Sequence, residues 1–498
     1  MQAGPGFATG AFMNSHPTAN ANTAELAEGV RRLANARVLV IGDAMLDRYV
    51  YGAVDRISPE APVPVLKIEN ELALPGGAAN VVRNLGALRA AVAFVSIIGD
   101  DEAGGDLTGL VGGQQGVEPW LLVQGRRITT LKTRFVAQGR AVQGHQIMRA
   151  DREDSRPVHP KLLDRLLKIA RDAMAATSIV ILSDYRKGVL AGDTPSLLIA
   201  AAHAAGRRVV ADIHGADYQR YAGADVVLAA ARDLAAATGL ATEGDDRVAA
   251  AAAILRTRHA FGAVLVTRGE DGMTLADADG AMHFPAGSAE VFDIAGTGDT
   301  ALATLGAGLA TGLSLRLAAR LANIAAGVVV GKIGTAVVRE SDLIAALSPH
   351  AGALRKIVSR ELAARLTERW RRSLWRTGYT DGAFDPLKPG HLHLIEQARG
   401  ACDRLVVGIH GDASVRRAKG DARPHQTEAV RAARLASLPS VDLVVVDTNE
   451  TADEMIRALR PDVLVRGTTE ERDAATALMR EWSGTVILAD ILPEPMAD

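Results

Sequence analysis

An apolar run that ends in glycine or an acid, and then gives way to an alanine-rich helical stretch, recurs through the first 270 residues of this chain. Residues 37–41 lead into Gly42-Asp43, 92–98 into Gly99-Asp100-Asp101, and 178–182 into Ser183-Asp184. Residues 208–211 lead into Asp212, and 263–267 into Arg268-Gly269-Glu270. Helical stretches at 80–88, 161–175, 194–205 and 246–256 separate them. Strands written as unbroken apolar runs are buried on both faces. Their alternation with helices predicts an α/β fold, a doubly wound and mostly parallel sheet. Ligands bind such sheets at the carboxyl ends of the strands, where this sequence puts its acids and glycines. A proline-bearing edge strand at 62–66 and paired strands at 129–136 and 146–149 fall outside the alternation and predict a small β lid.

Residues 291–300, Val-Phe-Asp-Ile-Ala-Gly-Thr-Gly-Asp-Thr, combine the same ingredients most tightly. The glycines permit a sharp turn. The helix that follows presents unpaired N–H groups and the positive end of its dipole to an anion. Asp299 stands where a carboxylate can take a proton from an alcohol attacking a phosphate held by those amides. Asp is also a favoured helix cap, so this stretch leaves a capping role open. Pro75-Gly76-Gly77-Ala78-Ala79-Asn80 opens another helix, with room for close backbone approach and an amide for a hydroxyl.

A chain of 498 residues exceeds one ordinary core. A second, shorter α/β unit starts at Leu374, with strands expected at 404–409, 441–446, 463–465 and 485–488. A net charge of −2 argues against nucleic acid as a partner. No run approaches the roughly 20 apolar residues of a membrane span. The single cysteine, Cys402, precludes an intramolecular disulfide and fits a reducing, cytoplasmic setting. No Cys/His spacing suggests structural zinc. Residues 1–34 are expected as a disordered tail, 35–345 as the first domain, 346–373 as a basic helical linker and 374–498 as the second domain.

The strings Gly42-Asp43-Ala44-Met45-Leu46-Asp47-Arg48-Tyr49, Arg56-Ile57-Ser58-Pro59-Glu60-Ala61-Pro62-Val63-Pro64-Val65 and Pro75–Asn80 resemble ribokinase-like sugar kinases of the heptose-phosphate branch. Residues 374–498 resemble the smaller, Rossmann-like cytidylyltransferase-like nucleotidyltransferases. Fused in this order, the halves are similar to the family that joins heptose-7-phosphate kinase to heptose-1-phosphate adenylyltransferase in lipopolysaccharide-core synthesis. The resemblance implies two ATP-dependent steps with Mg²⁺ as cofactor, sugar phosphates as substrates and a homodimer paired through the lid.

By position, Asp299 then corresponds to the catalytic base and Gly296, Thr297 and Gly298 to its anion hole. Asp43, Gly76, Gly77 and Asn80 match the sugar-binding face, helped by Asp47, Arg149 and Lys187. Thr267, Gly269 and Asn323 fall where such kinases hold the nucleotide. The family's Asn-x-x-Glu, near its magnesium–phosphate site, is here Ala230-Ala231-Arg232-Asp233, leaving Asp233 as the metal-side acid. An Asp-Pro-Lys motif has become Asp212-Ile213-His214. In the second domain the implied site comprises Phe384, Asp385, Lys388, His391 and Arg466. Lys388 stands where the signature has histidine, the Gly-Gly-Asp-Tyr of the late strand reads Arg466-Gly467-Thr468-Thr469, and no Ser/Thr-rich terminal segment is visible. A sugar kinase carrying a degenerate, structural C-terminal domain is therefore the alternative.

Overall fold

A computed structural model of the protein describes residues 17–138, 143–287, 296–332, 336–347, 351–354, 356–447, 452–467 and 475–489. The chain divides into two compact units, Met1–Leu347 and Ser348–Asp498.

The first unit contains β1 (Arg37–Gly42), β2 (Ala44–Ile57), β3 (Pro64–Gly77), β4 (Ala91–Gly99), β5 (Val117–Gln124), β6 (Thr130–Gln138) and β7 (Gln143–Arg152). Then come β8 (Ile179–Asp184), β9 (Arg208–Ile213), β10 (Val226–Ala230), β11 (Ala263–Thr267), β12 (Met273–Asp277) and β13 (Gly280–Phe284). Nine of them form one sheet in the order β13-β12-β11-β10-β9-β8-β1-β4-β5. From β11 to β5 every pairing is parallel, with Val40 of β1 opposite Phe94 on one side and Ile181 on the other. Alternation along β1 feeds two cores: Val38 and Val40 pack with one layer of helices, Leu39 and Ile41 with the other. The apolar stretch 313–330 forms the helix Leu315–Val330, which packs in the first of these cores with the helix Thr297–Ala310.

The remaining strands form the lid, ordered β3-β2-β6-β7, with β2 and β6 parallel and the outer pairs antiparallel. Its root lies at the carboxyl end of the interior strand β1, where Ala44 pairs with Gly77 and Met45 with Gly76.

Two expected boundaries change. Much of the supposed tail is the helix Pro17–Arg32, with Leu26, Val30 and Leu33 buried in the first core. Proline in the first turn and two arginines in the last suit the helix ends. Residues 1–16 lie outside the described set. The expected linker belongs to the second unit: Ile357–Val358 is a strand, β14, and the helix Arg360–Arg372 buries Ala363, Leu366 and Trp370. Its basic face is turned outward, where Arg360 meets Glu454 at 3.2 Å and Arg371 donates to the carbonyls of Leu459 and Arg460.

The second unit adds β15 (Thr377–Gly382), β16 (Arg404–His410), β17 (Leu443–Asp447), β18 (Val463–Arg466) and β19 (Thr485–Leu488). The order is β14-β17-β16-β15-β18-β19, parallel throughout. From β15 the chain winds outward through β16 and β17, then returns to the other side of β15, so that a switch point lies between β15 and β18.

Candidate active sites

In the first unit the switch point lies at β1, with β4 on one side and β8 on the other. At the end of β1, Asp43 is 1% exposed, and its carboxylate accepts the backbone N–H groups of Tyr185 (2.9 Å), Lys187 (2.9 Å) and Val189 (3.0 Å). Burial and the neighbouring Asp184 push its carboxyl up to about 6 despite those three bonds. Expected against the sugar, Asp43 is instead occupied in shaping the loop after β8.

That loop delivers Tyr185, whose hydroxyl donates to Asp299 Oδ1 at 2.6 Å. Asn80 Nδ2 donates to the other oxygen at 2.8 Å. Burial pushes the Asp299 carboxyl up to about 7; the Tyr185 and Asn80 bonds oppose the rise, and Asp212 adds to it. A carboxyl poised there exchanges protons near neutrality. Both of these bonds come from distant elements, not from the N–H groups of its own helix, which sets this geometry apart from a cap. Asn80 Oδ1 is buried without a hydrogen-bond partner among the described residues, leaving an acceptor for a substrate hydroxyl. Behind the pair, Thr300 Oγ1 donates to Asn84 Oδ1 and Asn84 Nδ2 to the Asn80 carbonyl, both at 2.9 Å. The first bond ties the helix Ala78–Ala87 to Thr297–Ala310 and the second holds Asn84 against the turn of Asn80, fixing Asn80 relative to Asp299. Residues 291–295 of the motif lie outside the described set.

On the lid side, Asp47 pairs with Arg134 at 2.6 Å. A Cβ on Gly76 would fall 2.4 Å from Asp47 Oδ2, and Gly77 has φ +56°, so the pair of glycines is required by space and by backbone alike. Lys132, opposite Asp47 in register, places its ammonium 5.7 Å from the Tyr185 ring. Burial lowers its pKa, and Asp47 counters. Lys132 and Arg134 went unnoticed in the sequence because Thr-Leu-Lys-Thr-Arg-Phe reads as a strand with a solvated face. Two cations two residues apart, on one face of a strand, were the available signal. Arg149 is exposed and paired with Asp151 at 2.9 Å, and Lys187 Nζ meets Glu153 at 2.7 Å.

On the other side of Asp299, Gly296, Gly298, Asp212, His214, Ala230 and Thr267 line one cleft with it and with Tyr185. Thr297 lies between the two glycines in the first turn of the helix. Asp233 Oδ2 and the Tyr218 hydroxyl are buried without hydrogen-bond partners among the described residues. The His214 ring packs against Tyr185, centroids 4.2 Å apart and planes inclined by 32°. Burial opposes protonation of His214, yet Asp212, with Asp299 and Asp233, raises its pKa to about 9. Gly269 opens a short turn and Asn323 donates to the Pro285 carbonyl at 2.9 Å; neither lines the cleft.

In the second unit, Arg466 at the end of β18 is paired with buried Asp381 at the end of β15, and His410 Nε2 lies 3.9 Å from the same carboxylate. Asp381 and His410 were missed because each reads as the tail of a strand. Asp385 accepts the N–H groups of His425 (2.7 Å) and Gln426 (3.0 Å), which together with Arg423 hold its carboxyl below the usual range against the effect of burial. Phe384 is core and meets His391 edge-on at 5.3 Å. His391 Nδ1 accepts the Lys388 N–H at 3.0 Å, so one imidazole nitrogen caps the helix Pro389–Gly400. Arg431, fully buried, ties the Ala383 carbonyl to Asp412.

Residues 35–341 match the model for pfkB family carbohydrate kinases, and residues 379–492 the cytidylyltransferase-like model. The bifunctional protein HldE of Acidiphilium cryptum is 55% identical over 94% of this chain and 96% of its own. That of Paramagnetospirillum magneticum is 49% identical over the same shares. Among solved structures, Arabidopsis thaliana ribokinase complexed with ribose and ATP covers 63% of this chain and 99% of its own, with a TM-score of 0.51 and 20% identity. Escherichia coli phosphofructokinase-2 covers 63% and 98%, with a TM-score of 0.53 and 18% identity. At that identity the likeness is one of fold. The two domain matches and the full-length likeness together establish that this chain belongs to the HldE family of bifunctional proteins, a pfkB-type carbohydrate kinase joined to a cytidylyltransferase-like domain.

Proposed function

We propose that the first unit transfers the γ-phosphoryl group of ATP to the anomeric hydroxyl of heptose 7-phosphate, giving heptose 1,7-bisphosphate. The second unit transfers the adenylyl group of ATP to heptose 1-phosphate, giving ADP-heptose and pyrophosphate. The observation that carries the kinase reading is Asp299, fixed between Tyr185 and Asn80 in the first turn of a helix. The anomeric oxygen attacks the γ-phosphorus, its proton passes to an Asp299 oxygen, and the bond to the β-phosphate oxygen breaks to release ADP. The N–H groups of Gly296, Thr297 and Gly298 face the charge on the transferred group. Asn80 and the Asp47–Arg134 pair orient the sugar, with Lys132 a second lid cation beside Tyr185. Ala230 and Thr267 form the nucleotide wall.

Magnesium fits beside this cleft: near His214, a buried carboxylate oxygen of Asp233 has no hydrogen-bond partner among the described residues. Mg²⁺ is usually held by one or two carboxylates plus substrate phosphates. Bound there, it would supply charge neutralisation to the phosphates, with Asp233 as the protein's ligand.

In the second unit Lys388, His391 and Arg466 would meet the triphosphate, with Asp381 orienting Arg466. A structural role for this unit is the second reading, favoured by Lys388 in place of an oriented imidazole. Pyrophosphate release from ATP and heptose 1-phosphate distinguishes the two: turnover supports adenylyl transfer, and its absence beside an active kinase supports the structural role.

The lid's exposed apolar residues, among them Ile57, Val63, Ile68 and Met148, support a homodimer paired through that sheet.

A further inference from the structure

The cleft beside Asp299 has an electrostatic problem. Asp212 and Asp299 line it and Asp233 lies close by, while the incoming nucleotide brings further negative charge. Among the described residues the cation that lines it is His214. Its Nε2 forms an ion pair with Asp212 Oδ2 at 3.4 Å, but the atom is buried and makes no aligned hydrogen bond among the described residues. A buried donor without an aligned acceptor gains when a ligand supplies one. The ring packs, inclined by 32°, against Tyr185, the residue that also donates to Asp299, and that contact restrains it. Its carboxylate neighbours raise its pKa to about 9 against burial, so it carries charge at neutral pH.

We propose that the His214 Nε2–H binds the terminal phosphate of ATP and follows that phosphoryl group through transfer, taking the place of a flexible lysine ammonium with an imidazolium held in position by Tyr185. This rests on Asp299 being the kinase base. A charged donor acts on both the bound triphosphate and the charge shifting in transfer. Its loss therefore lowers kcat and raises KM for ATP while leaving KM for the sugar nearly unchanged.

Three variants test this in the full-length protein, with ADP formation from ATP and heptose 7-phosphate as the readout. His214→Phe keeps the ring contact with Tyr185 and removes the donor. His214→Gln keeps a neutral donor, and His214→Lys restores charge without the ring contact. The expected result is a loss of about 10–10³-fold in kcat/KM for ATP for Phe. A smaller loss is expected for Gln and the smallest for Lys, with melting temperatures within a few degrees of wild type. A Phe variant as active as wild type overturns the proposal and leaves His214 a packing residue. Lys as inactive as Phe, with both folded, overturns it too. A wild-type protein that forms no ADP sinks the kinase reading itself, which is a separate failure.

Discussion

Asp299 is the residue on which the kinase chemistry turns, and its environment makes two predictions with defined signs. A base with a folded pKa of about 7 must be ionised to act, so kcat/KM for the sugar should rise with pH and level off above about 7. The Tyr185 hydroxyl bond favours the charged form. Tyr185→Phe should move that acidic limb upward by about one to two pH units, as loss of a bond to a charged group implies. A limb that stays in place would show that Tyr185 does not hold the base. The same burial bears on stability. Because the folded pKa lies above the unfolded one, ionised Asp299 costs stability above pH 7, and the cost fades as pH falls from 7 towards 4. Asp299→Asn should therefore lower kcat by about 10²–10⁴ yet melt at or above the wild-type temperature at pH 8. A variant that melts well below wild type would show that the carboxylate is structural. Asp43 shows what sequence could not reveal at this scale. An acid after a strand looks the same whether it meets a sugar or three backbone N–H groups, and only the path of the 185–189 loop decides.

At the level of elements, most of the α/β alternation was legible because buried parallel strands are apolar without interruption. Strands β2, β5, β10, β12 and β13 were passed over. β10 runs Val-Val-Leu-Ala-Ala straight into an alanine-rich helix, so nothing in composition marks its end. The helix Pro17–Arg32 was misread for a related reason. Its large apolar residues are only Leu26 and Val30, followed by Leu33 in the next turn, and Asn20 and Asn22 in its first half have low helix propensity. Burial in the first core makes it part of the kinase unit. Leu26→Ala should cost about 2–5 kcal/mol, the usual range for a fully buried leucine, measured by thermal or urea unfolding of that unit. An unchanged midpoint would mean that the helix is dispensable. The lid, by contrast, was visible from its prolines and paired strands, whereas Lys132 and Arg134 became site residues only once β2 and β6 were seen to lie side by side.

For the whole molecule, each unit has its own switch point with an acid at the end of a strand: Asp43 in the first, Asp381 in the second. Chemistry in the two units should therefore be separable by single substitutions. The two-domain plan was legible from length and from the second run of strands. The misplaced linker was not, because an amphipathic basic helix looks the same whether it bridges domains or packs on one of them. The most direct measurement assays both half-reactions on one preparation of wild type and of Asp299→Asn. One assay follows ADP release with heptose 7-phosphate, and the other follows pyrophosphate release with heptose 1-phosphate. Wild type should perform both, and the variant should lose the first by about 10²–10⁴ while keeping the second at the wild-type rate. A variant that still phosphorylates heptose 7-phosphate at near wild-type rate would contradict the central assignment of Asp299 as the base.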